Sequence, residues 1–170
     1  VASHGYQLTS VAKPIGTPST TRRLNSFRRA LGQKIVMTDG AVRGMLRALQ
    51  QGEFVALLLD QHVPPAQGGL WIDLFGLKAT ISGAAARLAL KLKLPIAVCF
   101  AQALPDGRYR GRLIGLCDPA TCHDDPLLLT QQIADQLASA IYRFPSQWLV
   151  GYRRWKRYPP GSDPSRYPFY

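Results

Sequence analysis

An α/β fold with a mixed, mainly parallel sheet flanked by helices is what this sequence predicts, and three observations carry it. Apolar runs short enough for strands alternate with segments of helical periodicity. Pro, Gly, Ser and Thr stand at the changeovers. The last two strand-like runs are joined by Pro105-Asp106-Gly107, a turn that implies an antiparallel pair. With 170 residues and 46% hydrophobic content, the chain can bury one core and reads as a single domain over residues 1–170.

Taken in order, residues 8–13 form a strand stopped by Pro14, and Thr17-Pro18 opens a helix with Leu24, Phe27 and Leu31 inward. Arg22, Arg23, Arg28 and Arg29 then fall mostly outward, as a solvated face. Residues 34–37 are a short strand. Thr38 or Asp39 caps a second helix with Val42, Met45, Leu46 and Leu49 on one face, and Gly52 stops it. Residues 54–59 are uniformly apolar and read as a buried, interior strand ending in Asp60-Gln61. A Pro/Gly loop leads to the run 70–75. Ser82 caps a helix whose apolar Ala85, Leu88, Ala89 and Leu92 recur at helical spacing, and Pro95 opens a second interior strand. That helix is expected to pack on the sheet between strands 54–59 and 96–100. Residues 95–102 and 108–116 make a hairpin. Asp125-Pro126 starts a last helix with Leu129, Ile133, Leu137, Ile141 and Phe144 inward, and from Pro159 the chain is an irregular strap.

The net charge is +11 and the pI near 10.1, an excess that attracts polyanions: nucleic acid, anionic headgroups, phosphorylated substrates or an acidic carrier protein. No apolar run reaches the roughly 18–20 residues of a membrane span, and Val1-Ala2-Ser3-His4 has neither the basic leader nor the apolar centre of a signal peptide. Three cysteines at irregular spacing argue against a disulfide scaffold. Cys117, Cys122 and His123 match no zinc-ligand spacing, and Gly68-Gly69 lacks the Lys-Ser/Thr of a phosphate-binding loop. No metal or nucleotide cofactor is expected. Near the end, Arg153, Arg154, Lys156 and Arg157 interleave with Tyr152, Trp155 and Tyr158. That mixture suits a phosphate-bearing headgroup at a membrane interface, and equally single-stranded nucleic acid.

Five segments carry a resemblance. Val11-Ala12-Lys13-Pro14, Asp60-Gln61, Leu74-Phe75-Gly76, Ser82-Gly83-Ala84-Ala85-Ala86-Arg87-Leu88-Ala89 before Pro95, and Pro145-Ser146-Gln147-Trp148-Leu149 with Tyr152-Arg153-Arg154-Trp155-Lys156 occur in that order. Together they resemble the late acyltransferases of lipid A biosynthesis (lauroyl and myristoyl acyltransferases), a branch of the lysophospholipid acyltransferase superfamily. The departures are Lys13 for an Arg, Leu74 for a Phe and Ser82 for a Thr. The resemblance spans roughly residues 1–160.

It implies a glycerolipid-acyltransferase type of fold and transfer of a fatty acyl chain from an acyl carrier protein thioester to a phosphorylated glycolipid acceptor. The implied place is the cytoplasmic face of the bacterial inner membrane, with the chain peripheral on an anionic surface and nucleic acid not a partner. The family uses a His base oriented by an acid five positions later. The resemblance makes His4 the candidate base, but five residues on stands Thr9, no carboxylate. The family's helix between that His and the next strand also has no room here, since parallel neighbours need a crossover of that length. The chain is therefore expected to be an N-terminally truncated or internally deleted member, without the N-terminal membrane anchor and the helix after His4. Lys13, Asp60, Gln61, Arg153, Arg154 and Lys156 are the implied substrate-binding residues, Asp60 having also a structural reading as the cap of the Pro/Gly loop. The alternative from another class is a non-catalytic basic domain that binds anionic membrane or nucleic acid.

Overall fold

The computed structural model describes residues 4–38 and 40–168. It is α/β, and it divides into two compact units, Val1–Leu58 and Leu59–Tyr170.

The first unit is a three-stranded parallel sheet with two helices: β1 (Leu8–Ala12), α1 (Pro18–Ala30), β2 (Gln33–Met37), α2 (Ala41–Gln50) and β3 (Phe54–Ala56). The strand order is β2-β1-β3, so β1 lies central, with Thr9 opposite both Lys34 and Val55. α1 begins as the sequence predicts: Thr17 Oγ1 accepts the Thr20 N–H at 3.2 Å and Pro18 takes the first helical position. Its buried face differs from the expected one. Asn25 is buried, whereas Phe27 and Leu31 are 60% and 61% exposed. With so few large apolar residues in thirteen positions, no stripe fixes the rotation of this helix, and Asn25 meets Met37 Sδ on the sheet side.

α2 buries Ala41, Met45 and Ala48, the expected Met45 among them, but Val42 lies outside that stripe and is exposed. Its N-terminal residue is Gly40 in the left-handed region (φ 73°) rather than a capping Thr38. Asp39 lies outside the described residues. At Gly44 the helix sits so close to β2 that an added Cβ would lie 2.7 Å from Val36 Cγ1. Gly52 (φ 75°) ends the helix as expected.

The expected interior strand over residues 54–59 is shorter and is an edge strand of this sheet. Phe54, Ala56 and Leu58 are exposed while Val55 and Leu57 are half-buried, so a uniformly apolar run alternates with period two. Composition concealed the alternation that pleating imposes. The run 96–100 belongs to a different sheet, so the expectation that both are interior strands of one sheet is corrected.

The second unit contains β4 (Gly69–Leu74), β5 (Leu77–Ser82), α3 (Ala84–Leu92), β6 (Ile96–Ala103), β7 (Tyr109–Cys117) and α4 (Pro126–Arg143). β4 and β5 form one antiparallel pair and β6 and β7 another. β5 was not foreseen as a strand. α3 packs not between two parallel strands but into a core of Ala86, Ala89, Val98, Cys117, Cys122, Leu129 and Ile133, which it shares with α4 and the β6–β7 hairpin. Ser82 caps it from one residue further out, its Oγ accepting the Ala84 N–H at 3.3 Å. α4 matches the expectation closely. Asp125 Oδ1 accepts the Leu127 N–H at 2.7 Å, Pro126 follows, and Leu129, Ile133 and Ile141 are buried.

Candidate functional site

In the first unit, β1 separates the two candidate residues. His4 is exposed and precedes its N-terminal end, and Lys13 is exposed just past its C-terminal end. At about 3.3 Å per residue the strand between them is on the order of 16 Å long. The position five residues after His4 is Thr9, 2% exposed, whose Oγ1 donates to Glu53 Oε2 at 3.0 Å. Glu53 is also ion-paired to Lys34. The Lys34 hydrogen bond holds the Glu53 carboxyl below its ordinary range, burial opposes this, and the Thr9 hydrogen bond and the Lys34 charge assist. So where the family pattern calls for a carboxylate, a hydroxyl holds a carboxylate delivered from the approach to β3. Sequence reasoning passed over Glu53, whose one clue was the parallel register that sets β3 beside β1.

In the second unit, three motif segments converge. The β4–β5 turn is the pair Phe75-Gly76, both at positive φ (56° and 77°), which matches the right-handed twist of a two-residue hairpin. A Phe is disfavoured there. It is held by edge-to-face contacts with Tyr142 (5.0 Å between centroids) and Trp148 (5.5 Å). Trp148 Nε1–H donates to Asp60 Oδ2 at 3.2 Å. Arg154 Nη2 donates to the same oxygen at 2.9 Å, and Arg154 Nε donates to the Asp60 carbonyl at 3.0 Å. Arg154 Nη1 donates to the carbonyls of Leu149 and Tyr152. The guanidinium, 3.8 Å from the Trp148 ring centroid and 5.0 Å from that of Tyr152, is stacked as well as hydrogen-bonded.

Arg154 is only 3% exposed, and four of its five N–H groups have intramolecular acceptors. What the structure gives Arg154 and Asp60 is a fork that ties the Asp60-Gln61 loop to the C-terminal segment. Gln61 is half-buried beside it. Gln147 secures the same segment by accepting the Ala103 N–H at 2.9 Å. Behind Asp60, an apolar void of about 10 Å³ among Leu59, Ile72, Leu137 and Trp148 has room for about one water, far too little for an acyl chain.

A model of the bacterial lipid A biosynthesis acyltransferase family matches residues 1–157. The chain belongs to that family. No curated protein matches it. The family supports activity of the lipid A acyltransferase type in general, and the fork just described joins two of the segments, Asp60-Gln61 and Tyr152-Arg153-Arg154-Trp155-Lys156, by which the sequence resembles that family. Residues past 157 lie outside the match.

Arg153 and Lys156 flank the fork and are exposed. Both line an open groove of about 560 Å³ that is also lined by Trp155, Tyr158, Ser165 and Tyr167. Lys156 Nζ lies 5.7 Å from the centroid of the Tyr152 ring. Of the three cations of this segment expected to hold substrate, Arg154 is thus turned inward and Arg153 and Lys156 stand at a cleft. Trp155 packs on the core formed by Ile72, Leu74, Ala79 and Ile81, and its Nε1–H is buried without an acceptor among the described residues. Cys117 and Cys122 are buried in the first core, and burial, with the neighbouring Cys122, pushes the Cys117 thiol up. Among the described residues, no group of three His, Cys, Asp or Glu side chains could hold a metal ion, and no helix is long and apolar enough to cross a membrane.

Proposed function

We propose that this chain serves the transfer of a fatty acyl group from an acyl carrier protein thioester to a hydroxyl of a lipid A precursor or related phosphorylated glycolipid, with its two units parts of one acyltransferase-like domain over residues 1–170. The observation that supports this reading is the family match over residues 1–157. In the step itself, His4 takes the hydroxyl proton as that oxygen bonds the thioester carbonyl carbon. The C–S bond then breaks and the proton passes to the departing thiolate. Lys13 in the first unit and, separately, Arg153 and Lys156 in the second are given to acceptor phosphate, and Arg154 acts through Asp60 to set the loop that carries Gln61. The charge of +11 suits peripheral binding to anionic lipid, on the cytoplasmic face of the inner membrane.

This chain by itself is expected to turn over slowly. Thr9 stands where the base needs an acid, and His4 is open to water; loss of such positioning lowers rates by several orders of magnitude. The deciding assay pairs acyl carrier protein thioesters with lipid A precursors and uses His4→Ala as control. Weak turnover abolished by that substitution fits the reading, and robust turnover that survives it removes His4 from the mechanism. The Thr9 position also favours a second reading, a non-catalytic domain on anionic membrane. Absent turnover together with salt-sensitive retention on anionic vesicles, and not on neutral ones, would select it.

A further inference from the structure

The end of α4 and the loop after it leave large apolar side chains uncovered: Tyr142, Leu149 and Val150 are 73%, 70% and 67% exposed. Single exposed apolar residues are ordinary, but these gather around one aromatic cluster. The Tyr142 ring meets Phe75 edge-on, Phe75 meets Trp148 in turn, and Leu149 and Val150 follow Trp148 directly. The loop that presents them is tied down. Arg154 Nη1 donates to the Leu149 carbonyl, which also accepts the Tyr152 N–H at 3.3 Å, and just before it Gln147 Oε1 accepts the Ala103 N–H at 2.9 Å. A partner that meets side chains already held in place loses less to ordering.

The charge around this rim chooses the partner. Between Asp135 and Asp163 the chain has no carboxylate, while Arg143, Arg153, Arg154, Lys156 and Arg157 fall in that interval. Arg143 is exposed beside Tyr142 in the last turn of α4. A second copy would bring the same positive field against itself. A nucleic acid would use cations and rings but leave the aliphatic Leu149 and Val150 in water. An anionic lipid surface uses all of them: phosphates meet Arg143, the Tyr142 ring sits at headgroup depth, and Leu149 and Val150 reach the acyl boundary. The exposed Leu113 and Leu116 of β7 differ, since Arg108 and Arg112 near them in sequence are committed to Asp106 and Gln102.

We infer that the rim of Tyr142, Leu149 and Val150 is the element by which the second unit docks on an anionic membrane, its aliphatic pair entering the boundary between headgroups and acyl chains. The inference rests on the peripheral binding proposed above and goes beyond it by naming the residues that enter the lipid. Binding is read without turnover, so a chain that does not react leaves the rim's role standing.

The experiment sediments the full chain with vesicles of phosphatidylcholine, alone or with phosphatidylglycerol. Leu149→Ser combined with Val150→Ser should weaken binding to the phosphatidylglycerol vesicles about tenfold or more, the contribution of burying two aliphatic side chains. Arg143→Gln should weaken it about fivefold and flatten its salt dependence. Leu116→Ser, at a comparably exposed leucine of β7, should leave it unchanged. A tryptophan introduced by Val150→Trp reads insertion directly: its added emission should be quenched by lipid brominated on the acyl chain, and that from Leu116→Trp should not. A Leu149→Ser, Val150→Ser variant that binds as tightly as the parent overturns the inference and leaves peripheral binding in place, whereas a parent that ignores phosphatidylglycerol vesicles removes both. An oligonucleotide whose binding falls with this double variant as far as vesicle binding does, or parent self-association that the double variant abolishes, gives the rim to another partner and overturns the inference as well.

Discussion

Each unit holds a carboxylate in a cationic clamp, and the two clamps differ in nearly every respect. Glu53 is reached by Lys34, 19 residues away, and by Thr9 on the adjacent strand. Asp60 is reached by Arg154, 94 residues away, through two hydrogen bonds, with Trp148 adding a third. The Lys34 side chain is 54% exposed and that of Arg154 only 4%. A flexible ammonium in water is a modest staple that reaches across β1 from β2 to the approach to β3. A buried planar fork with several acceptors instead decides where a whole segment sits. The lesson is that, of the cations in this segment that the resemblance gives to substrate, Arg154 is committed inward while Arg153 and Lys156 stay exposed.

The sharpest way to break this contrast is to remove the fork. Arg154→Ala leaves the Asp60 carboxylate and the carbonyls of Leu149 and Tyr152 without their donor, and should cost about 3 kcal/mol in denaturant unfolding followed by Trp148 emission. Arg154→Lys keeps the charge and loses the fork, so it should recover less than half of that. A double-mutant cycle with Asp60→Asn should show strong coupling. An Arg154→Lys variant as stable as the parent would reduce this clamp to the same kind of staple as Lys34–Glu53.

Within the first unit, close packing should outweigh the Glu53 clamp. Gly44→Ala places a Cβ 2.7 Å from Val36 Cγ1, so α2 must lift from β2 or Val36 must change rotamer. The expected loss is about 1–3 kcal/mol, measured by thermal melts. Val36→Ala in the same background should restore part of it, and failure to do so would show that the contact is not the cause.

The Glu53 clamp is best tested through pH. Its folded pKa is held below the ordinary value of 4.5, so its contribution is fully present above that value and is lost as pH falls through the lowered folded value. The melting temperature of Glu53→Gln should therefore lie below that of the parent at neutral pH, and the gap should close on acidification below 4.5. A gap that widens in acid would reverse the assignment.

How much of this was legible depends on how local the chemistry is. Thr17-Pro18, Asp125-Pro126 and Pro105-Asp106-Gly107 act within three or four residues, and each produced the predicted helix start or turn. The exposed side of β3 follows from pleating that a uniformly apolar run conceals, the outward Phe27 and Leu31 from a helix without a fixing stripe, and the strained Phe75 from Tyr142 and Trp148 far along the chain. At the site, resemblance pointed to Asp60 and to the Arg153–Lys156 segment, yet it could not tell that Arg154 turns inward while Arg153 and Lys156 face a groove. Three cations in four positions look alike until something across 94 residues selects one.

The smallest effect separates the fork from the ring beside it. Trp155 packs on the second unit's core and buries an N–H with no acceptor among the described residues. An orphan donor opposes folding by about 1–3 kcal/mol, whereas the ring's apolar contact favours it. Trp155→Phe deletes the donor and keeps an aromatic ring, so the two terms should nearly cancel and the midpoint should move by less than about 1 kcal/mol in either direction. Trp155→Ala deletes both and should cost about 3 kcal/mol. If Trp155→Phe instead destabilises as much as Trp155→Ala, the indole N–H has an acceptor in solution, and Trp155 would join Trp148 as a hydrogen-bonding member of the clamp.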